Sequence, residues 1–197
     1  MFQMPVILPS KVRLGFISSM KKALDYLSEK DKILHHIIEN FGNPIVQKRA
    51  EGFSAFCHII LEQQVSIASA KACYEKIQLL LGTITPETIL NVSDLDLRNC
   101  GVSRQKNIYL RDLATKVNSR ELDFTTFSTK SEAEIRAELI AVKGIGNWSI
   151  EVYLMFCLQS SDIIPLGDIA IKNTLKELYN CQTLDEMELV SNNWKPE

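Results

Sequence analysis

Apolar residues recur along most of this chain at the spacing of amphipathic helices. The clearest example lies in Gly52–Glu62, where five apolar side chains fall at positions i, i+3, i+4, i+7 and i+8. This spacing places all five on one helix face and predicts a helix of the hydrophobic core. The five are Phe53, Phe56, Cys57, Ile60 and Leu61. A comparable stripe predicts a helix over 67–81, and further helices are predicted over 16–28, 31–41, 104–118 and 132–141. Periodicity cannot separate helix from strand over 147–158, where seven consecutive residues are apolar, but the length of this segment favours a helix.

Capping residues and tight turns separate these segments. Ser66 and Ser103 each precede a predicted helix and suit its N-cap, where a side-chain oxygen accepts an N–H of the first turn. Ser131 with Glu134 three residues later has the pattern of a capping box. No segment alternates convincingly as a strand. We therefore predict an all-α bundle of about ten short helices.

The start of the chain differs from the remainder. Two prolines and a short apolar piece within residues 1–15 predict an extended arm. We expect residues 1–50 to form this arm and helices that pack on the core, and residues 51–197 to form the core itself. One continuous two-lobed unit is the alternative. The first 50 residues are too few for an additional β-rich domain.

Composition and charge limit the class of protein. The 197 residues are 46% hydrophobic and 23% charged, which is ordinary for a globular protein. The net charge of −2 counts mildly against a nucleic-acid binder, although binding depends on local patches, and the predicted helix over 104–118 is the most basic stretch. The five cysteines are scattered and no pair has Cys-x-x-Cys spacing, which favours reduced thiols over disulfides or a metal cluster. No signal peptide or membrane-spanning run is apparent.

Gly144-Ile145-Gly146 lies between two predicted helices and follows Lys143. Two glycines one residue apart let the backbone turn sharply with its N–H groups exposed. At the start of a helix such groups, together with the helix dipole, attract a phosphate, and Lys143 adds a formal charge. The pattern alone is equally compatible with a structural turn between two helices.

Asp168 comes twenty residues after Trp148, at the end of an extended segment that contains Pro165 and Gly167. Apolar residues on one helix face follow it, which places Asp168 as the N-cap of another helix. By itself, an aspartate in this position is most simply explained as a cap.

Four segments, in order, resemble motifs of the helix-hairpin-helix DNA glycosylases, and most closely the compact form of their 3-methyladenine DNA glycosylase II branch. Val142–Ser149 resembles the family's Leu-Pro-Gly-Ile-Gly-x-Trp-Thr hairpin, and Asp168 stands where an essential aspartate follows it. Glu62–Ala68 resembles its Gln-Gln-x-Ser-x-x-Ala segment. The other two matches are Gly101–Lys106 and Asn193–Pro196.

The resemblance implies an enzyme that flips a nucleotide out of double-stranded DNA and hydrolyses its N-glycosidic bond. Asp168 would be the catalytic carboxylate, which stabilises positive charge on the sugar and orients or deprotonates the attacking water. Trp148 and Tyr153 would line the base pocket, and Gln63 and Gln64 are the candidates for the wedge that fills the gap in the duplex. The expected DNA contacts are the hairpin residues Lys143, Gly144, Ile145 and Gly146, together with Ser103, Lys106 and Lys172.

The same resemblance bears on cofactors and partners. We expect no cofactor, and a monomer that acts on DNA containing a damaged base, in a bacterial cytoplasm or a eukaryotic nucleus. Only Cys181 follows Asp168, so the four-cysteine iron–sulfur cluster of some relatives is not expected. Some relatives hold a monovalent cation on hairpin carbonyls, which here would be those of Val142 and Ile145. The sequence leaves that cation open.

Two departures from the family pattern are informative. Members that also nick the strand carry a lysine two residues after the second hairpin glycine, whereas this chain has Trp148 there. Because tryptophan cannot form a Schiff base, we predict a monofunctional glycosylase without AP lyase activity. The family continues past its Trp-x-Pro segment with another helix, so we expect a truncated or remodelled C-terminus here.

The expected substrates are alkylated purines of the 3-methyladenine or 7-methylguanine type. Their positive charge is attracted to an electron-rich aromatic face and makes the base a good leaving group, so that one carboxylate suffices. Uracil, a mismatched thymine or an oxidised purine are the alternatives within the same enzyme class. A non-catalytic helix-hairpin-helix DNA-binding protein is the alternative outside it, and the acidic net charge favours that reading.

Overall fold

The computed structural model describes residues 10–196, with side chains from residue 20 onward. Over that range the chain forms eleven α-helices and one 3₁₀ helix, and no strand. The predicted all-α fold is confirmed. The α-helices are α1 (Ser10–Lys30), α2 (Lys32–Phe41), α3 (Phe53–Glu62), α4 (Ile67–Leu81), α5 (Pro86–Asn91), α6 (Asp94–Asn99), α7 (Arg104–Asn118), α8 (Glu132–Ile140), α9 (Asn147–Phe156), α10 (Ile169–Tyr179) and α11 (Leu184–Asn192), with the 3₁₀ helix at Phe124–Thr129 between α7 and α8.

Local signals placed several helix starts accurately. The Ser66 and Ser103 side chains accept the backbone N–H groups of Ser69 and Lys106, and so cap α4 and α7 as predicted. The expected arm is wrong for residues 10–15, because α1 already begins at Ser10. Lys, Arg and Leu dominate that stretch and favour helix, and one glycine among them costs only about 1 kcal/mol. Residues 1–9 lie outside the described part.

The described chain divides into two compact units. One contains the residues up to Ile45 together with the segment from Asn173, and the other is Val46–Lys172. The first unit therefore joins the C-terminal segment to the N-terminal helices, a pairing that the expected division at residues 50 and 51 did not include.

In the larger unit, α3 is the central element. It packs against α4, α7 and α9, and Phe56, Ile59 and Ile60 are completely buried. The predicted apolar face is present, and Ile59 extends burial beyond it because three helices surround α3. An aromatic cluster continues the core where Tyr153 of α9 packs against Phe56 at 5.2 Å between ring centroids. Truncating Phe56 to alanine would cost about 3–5 kcal/mol of the free energy of unfolding.

In the smaller unit, Asp31 connects elements far apart in the sequence. Its Oδ1 caps α2 by accepting the N–H groups of Ile33 and Leu34, at 2.8 and 3.1 Å. Its Oδ2 accepts the Tyr179 hydroxyl at 3.0 Å and the Trp194 indole N–H at 2.9 Å. Burial alone would raise the pKa of this carboxyl, but these hydrogen bonds together lower it below its usual value.

We expect Asp31→Asn to lower the free energy of unfolding at pH 7 by about 2 kcal/mol, since an amide NH₂ would face two donors. The lowered pKa sets the sign of the pH dependence. The charged Asp31 carboxylate stabilises the fold fully above the pKa of about 4 that this group has in the unfolded chain. This stabilisation is lost as the pH falls through the lower pKa of the folded protein. Urea denaturation at pH 7 and at pH 3 measures the difference, which should shrink at pH 3.

Asp25→Asn is the matched control, because Asp25 makes a solvent-exposed pair with Lys21 at 2.6 Å. Its effect at pH 7 should stay below about 0.5 kcal/mol. Equal effects of the two substitutions would contradict the role assigned to Asp31.

No helix of the described residues is long and apolar enough to cross a lipid bilayer.

Candidate active site

A cleft of about 700 Å³ opens in the larger unit. Its walls are the α3–α4 turn, the start of α7, the α8–α9 hairpin and the segment before α10. It is lined by Glu62, Gln63, Gln64, Val65, Ser66, Ser103, Gln105, Lys106, Tyr109, Gly144, Gly146, Trp148, Ser149, Gly167, Asp168 and Ile169.

The hairpin between α8 and α9 requires glycine at position 144 for two reasons. Gly144 has φ of +73°, a conformation that side chains disfavour. A Cβ atom there would also overlap the Tyr109 ring of α7, which would have to move to make room for it. Gly146 is extended and precedes the first residue of α9 without a side-chain cap. Close packing against Tyr109 thus supports the hairpin turn on the side of α7.

The hairpin presents unpaired backbone donors. The amide N–H groups of Gly144, Gly146 and Asn147 make no hydrogen bond within the described residues. Gly146 and Asn147 lie at the start of α9, where the helix dipole adds positive potential. Together these groups suit an anion such as a DNA phosphate. The arrangement suits the predicted grip by the hairpin, although Ile145 offers no free donor, since its side chain is buried and its N–H donates to the Val142 carbonyl.

Asp112 ties the hairpin to α7. Its Oδ2 accepts the Lys143 backbone N–H at 2.9 Å, and its Oδ1 lies 3.6 Å from the Lys143 ammonium. The Lys143 side chain is 70% exposed, so its charge remains available at the hairpin. The Val142 carbonyl accepts the Ile145 N–H at 3.2 Å and keeps one lone pair. The monovalent cation considered for the Val142 and Ile145 carbonyls stays a prediction.

The α3–α4 turn separates the two wedge candidates. Gln63 is committed to the hairpin, because its Nε2 donates to the Gly144 carbonyl and to the Ser149 hydroxyl, both at 3.0 Å. Gln64 is exposed and has φ of +55°, in the left-handed region. In this structure Gln63 is thus held at the hairpin while Gln64 is exposed, and the wedge role of both residues stays a prediction.

Lys106 has a structural partner, and the DNA contact expected for it stays a prediction. Its ammonium donates to the Leu61 carbonyl at 2.6 Å, near the C-terminus of α3. Burial lowers the pKa of this lysine below its usual value. Ser103 lines the cleft as the cap of α7, whereas Lys172 does not belong to the cleft lining. DNA contacts of Ser103 and Lys172 stay predictions.

Asp168 uses both carboxylate oxygens. Its Oδ1 accepts the N–H groups of Ala170 and Ile171 at 2.8 and 3.4 Å, which confirms the predicted cap of α10. Its Oδ2 accepts the Trp148 indole N–H at 3.0 Å and lies in the cleft. Gly167 permits this approach, since a Cβ there would lie 3.2 Å from the Trp148 Cβ. The carboxylate is thus oriented with free lone pairs on Oδ2.

The two residues expected in the base pocket differ in position. Trp148 is partly exposed and lines the cleft beside Asp168. Tyr153 is completely buried among core aromatic rings, and its hydroxyl accepts the Gly52 N–H at 2.9 Å. The expectation that Tyr153 lines the base pocket is therefore wrong, because α9 turns this residue toward the core.

The geometry agrees with the comparisons with known proteins. Residues 57–196 match the family model of the HhH-GPD superfamily base excision DNA repair proteins. The chain belongs to this family.

Relatives and solved structures support the assignment. DNA-3-methyladenine glycosylase 1 of Schizosaccharomyces pombe is 27% identical over 175 residues, covering 83% of this chain and 75% of the relative. The structure of 3-methyladenine DNA glycosylase Mag1 from that yeast, in complex with abasic DNA, aligns with a TM-score of 0.80 and 25% identity over 89% of this chain and 90% of that one. A DNA-3-methyladenine glycosidase from Bacillus halodurans aligns with a TM-score of 0.74 and 31% identity over 88% and 82%.

Several contacts that hold the hairpin of this HhH-GPD chain were not predicted from the sequence. The Gln63 bonds to the hairpin and the Tyr109 ring behind Gly144 join segments far apart in the sequence. Asp112 offered a signal, because it is the only acidic residue in the basic helix α7. An isolated acid in such a helix suggests a specific partner, and here the partner is Lys143.

The left-handed conformation of Gln64 gives a stability prediction. Glycine adopts this conformation without the penalty that a Cβ imposes, so Gln64→Gly should be more stable than Gln64→Ala by about 1 kcal/mol. Thermal unfolding should show this as a difference of about 2–4 °C in Tm. If the alanine variant were the more stable of the two, the backbone assigned to this turn would be wrong.

Proposed function

We propose that this member of the HhH-GPD family is a monofunctional DNA glycosylase that removes alkylated purines. It would flip the damaged nucleotide out of double-stranded DNA and hydrolyse the N-glycosidic bond in base excision repair. We propose that it acts as a monomer, in a bacterial cytoplasm or a eukaryotic nucleus.

The observation that carries this proposal is the position of the Asp168 carboxylate. It shares one cleft with the hairpin amides and with the partly exposed ring of Trp148. Trp148 and the start of α10 orient it without using all its lone pairs. A phosphate held at the hairpin and a base flipped into the cleft would bring the sugar toward this carboxylate.

The geometry supports a simple hydrolysis. When the N-glycosidic bond breaks, its electron pair leaves with the base and positive charge develops on the sugar. The oriented Asp168 carboxylate stabilises that charge, and its placement costs no reorganisation during the reaction. Water then adds to the anomeric carbon and gives up a proton, which the carboxylate accepts. An alkylated purine that enters as a cation leaves neutral, so no proton donor to the base is required.

Trp148 supports the choice of a cationic base. An electron-rich indole face attracts a positively charged ring more strongly than a neutral one. Its indole N–H is engaged by Asp168, which fixes the orientation of the ring at the cleft wall. The names of the yeast and Bacillus relatives, which specify 3-methyladenine, point to the same substrate class.

The central test is base release by Asp168→Asn. Asparagine keeps an oxygen for capping α10 and removes the charge, so we expect the single-turnover rate on methylated duplex DNA to fall about 100-fold or more. Release is measured as free base by chromatography. Asp162→Asn provides the matched control, because Asp162 is exposed, lies outside the cleft lining and has a φ of +60° that asparagine tolerates.

Wild-type base release by Asp168→Asn would refute the assigned catalytic role. The substrate range is measured with methylated, deaminated and oxidised duplexes in parallel. Preferred release of uracil or an oxidised purine would change the substrate class. Release from none of these by the wild-type protein, with DNA binding intact, would indicate a non-catalytic DNA-binding protein.

A second test concerns strand cleavage. Lys106 is the only lysine among the described residues that line the cleft, and the Leu61 carbonyl engages its ammonium. We therefore expect borohydride to trap no covalent protein–DNA adduct, and the product strand to stay intact until heated in alkali. A trapped adduct would show lyase activity and contradict the monofunctional assignment.

A further inference from the structure

Gln63 connects the two loops that face each other across the cleft. Its backbone belongs to the α3–α4 turn, immediately before the exposed Gln64. Its side-chain amide reaches 81 residues along the chain to the Gly144 carbonyl and 86 residues to the Ser149 hydroxyl, both at 3.0 Å. A single amide thereby bonds the hairpin and the first turn of α9.

These bonds have few substitutes within the described residues. Ser149 is 2% exposed, and Gln63 is the one hydrogen-bond partner of its hydroxyl there. The Gly144 carbonyl likewise accepts from Gln63 alone in that part of the chain. Removing the amide donor leaves the buried Ser149 hydroxyl without its partner, which costs more than losing a solvent-exposed hydrogen bond such as that of the Gly144 carbonyl.

The backbone of this turn is strained at Gln64, and neighbouring groups must keep it in that conformation. A non-glycine residue in the left-handed region, such as Gln64, is disfavoured by about 1–2 kcal/mol. Gln63 restrains one side of this turn through the hairpin, and Lys106 restrains the other side through the Leu61 carbonyl. The conformation of Gln64 therefore depends on groups outside its own helix pair.

We propose that Gln63 is a positioning residue that couples the phosphate-binding hairpin to the Gln64 turn, so that both engage the same nucleotide. The inference rests on the proposed function, in which the hairpin holds a phosphate, and on the wedge role predicted for Gln64, which would fill the vacated stack. The hairpin then determines where along the duplex Gln64 enters. A displacement of the turn by about 1 Å would separate DNA binding from base flipping, since catalysis is sensitive to such shifts.

The test is Gln63→Met, which nearly preserves side-chain volume and removes the donor. We expect the single-turnover rate of base release at saturating protein to fall about tenfold or more, with the Kd for undamaged duplex changed less than about threefold. The fluorescence rise of 2-aminopurine beside the lesion, which reports unstacking, should fall in parallel. Gln47→Met, at an exposed position outside the cleft lining, is the control and should match wild type.

Two double-mutant cycles separate coupling from loss of stability. If Gln63 acts by placing Gln64, then Gln63→Met with Gln64→Ala should release base no more slowly than the slower of the two single variants. Ser149→Ala removes one of the two acceptors and should cost less than Gln63→Met, and nothing further in the Gln63→Met background. Additive losses in both cycles would overturn the inference.

These measurements distinguish a failure of the proposed coupling from a failure of the proposed function. If the wild-type protein releases no base, the proposed function fails, and the 2-aminopurine signal and Kd still test the coupling. If the wild type releases base and Gln63→Met equals it in rate and fluorescence, only the coupling fails. A parallel loss of rate, binding and Tm would assign Gln63 a purely structural role and would also refute it.

Discussion

The hydrogen bond between the Trp148 indole and the Asp168 carboxylate is the contact on which the site depends. It joins the first turn of α9 to the segment before α10, twenty residues further on. Because α9 starts at the hairpin, this bond fixes the carboxylate relative to the loop that presents backbone donors. Gly167 makes it sterically feasible by lying against the Trp148 side chain. The backbone donors of the hairpin and the Asp168 carboxylate are thus held near each other through the first turn of α9.

Helix α7 supplies the support behind this arrangement. Tyr109 packs against Gly144, Asp112 accepts the Lys143 N–H, and Lys106 donates to the end of α3. Positions 109 and 112 are three residues apart, so they share the side of α7 that faces the hairpin, while Lys106 reaches the last turn of α3. Loops that carry function are usually mobile, and here side chains from a packed helix hold both of them.

Local electrostatics reconcile DNA binding with an acidic chain. The net charge is −2, yet the hairpin presents unpaired backbone N–H groups at the start of α9, which suit an anion. Glu62 at the cleft is paired with Arg49 at 2.7 Å, which offsets its charge. Nearby His58 has its pKa lowered by burial, so this histidine stays neutral near pH 7. Few formal charges are needed to attract an anion where backbone N–H groups already point toward it.

The sequence by itself determined most of the helices and several of their caps, the glycine hairpin and the capping position of Asp168, because each depends on residues within about one helical turn. The family motifs added the roles expected of Asp168 and Trp148. Only the tertiary structure decided that Gln63 bonds to the hairpin while Gln64 is exposed, that Lys106 holds the end of α3, and that Tyr153 belongs to the core. Neighbouring glutamines look alike in a sequence, and their difference arises from contacts more than eighty residues away. Such contacts depend on how helices pack, which local periodicity does not encode.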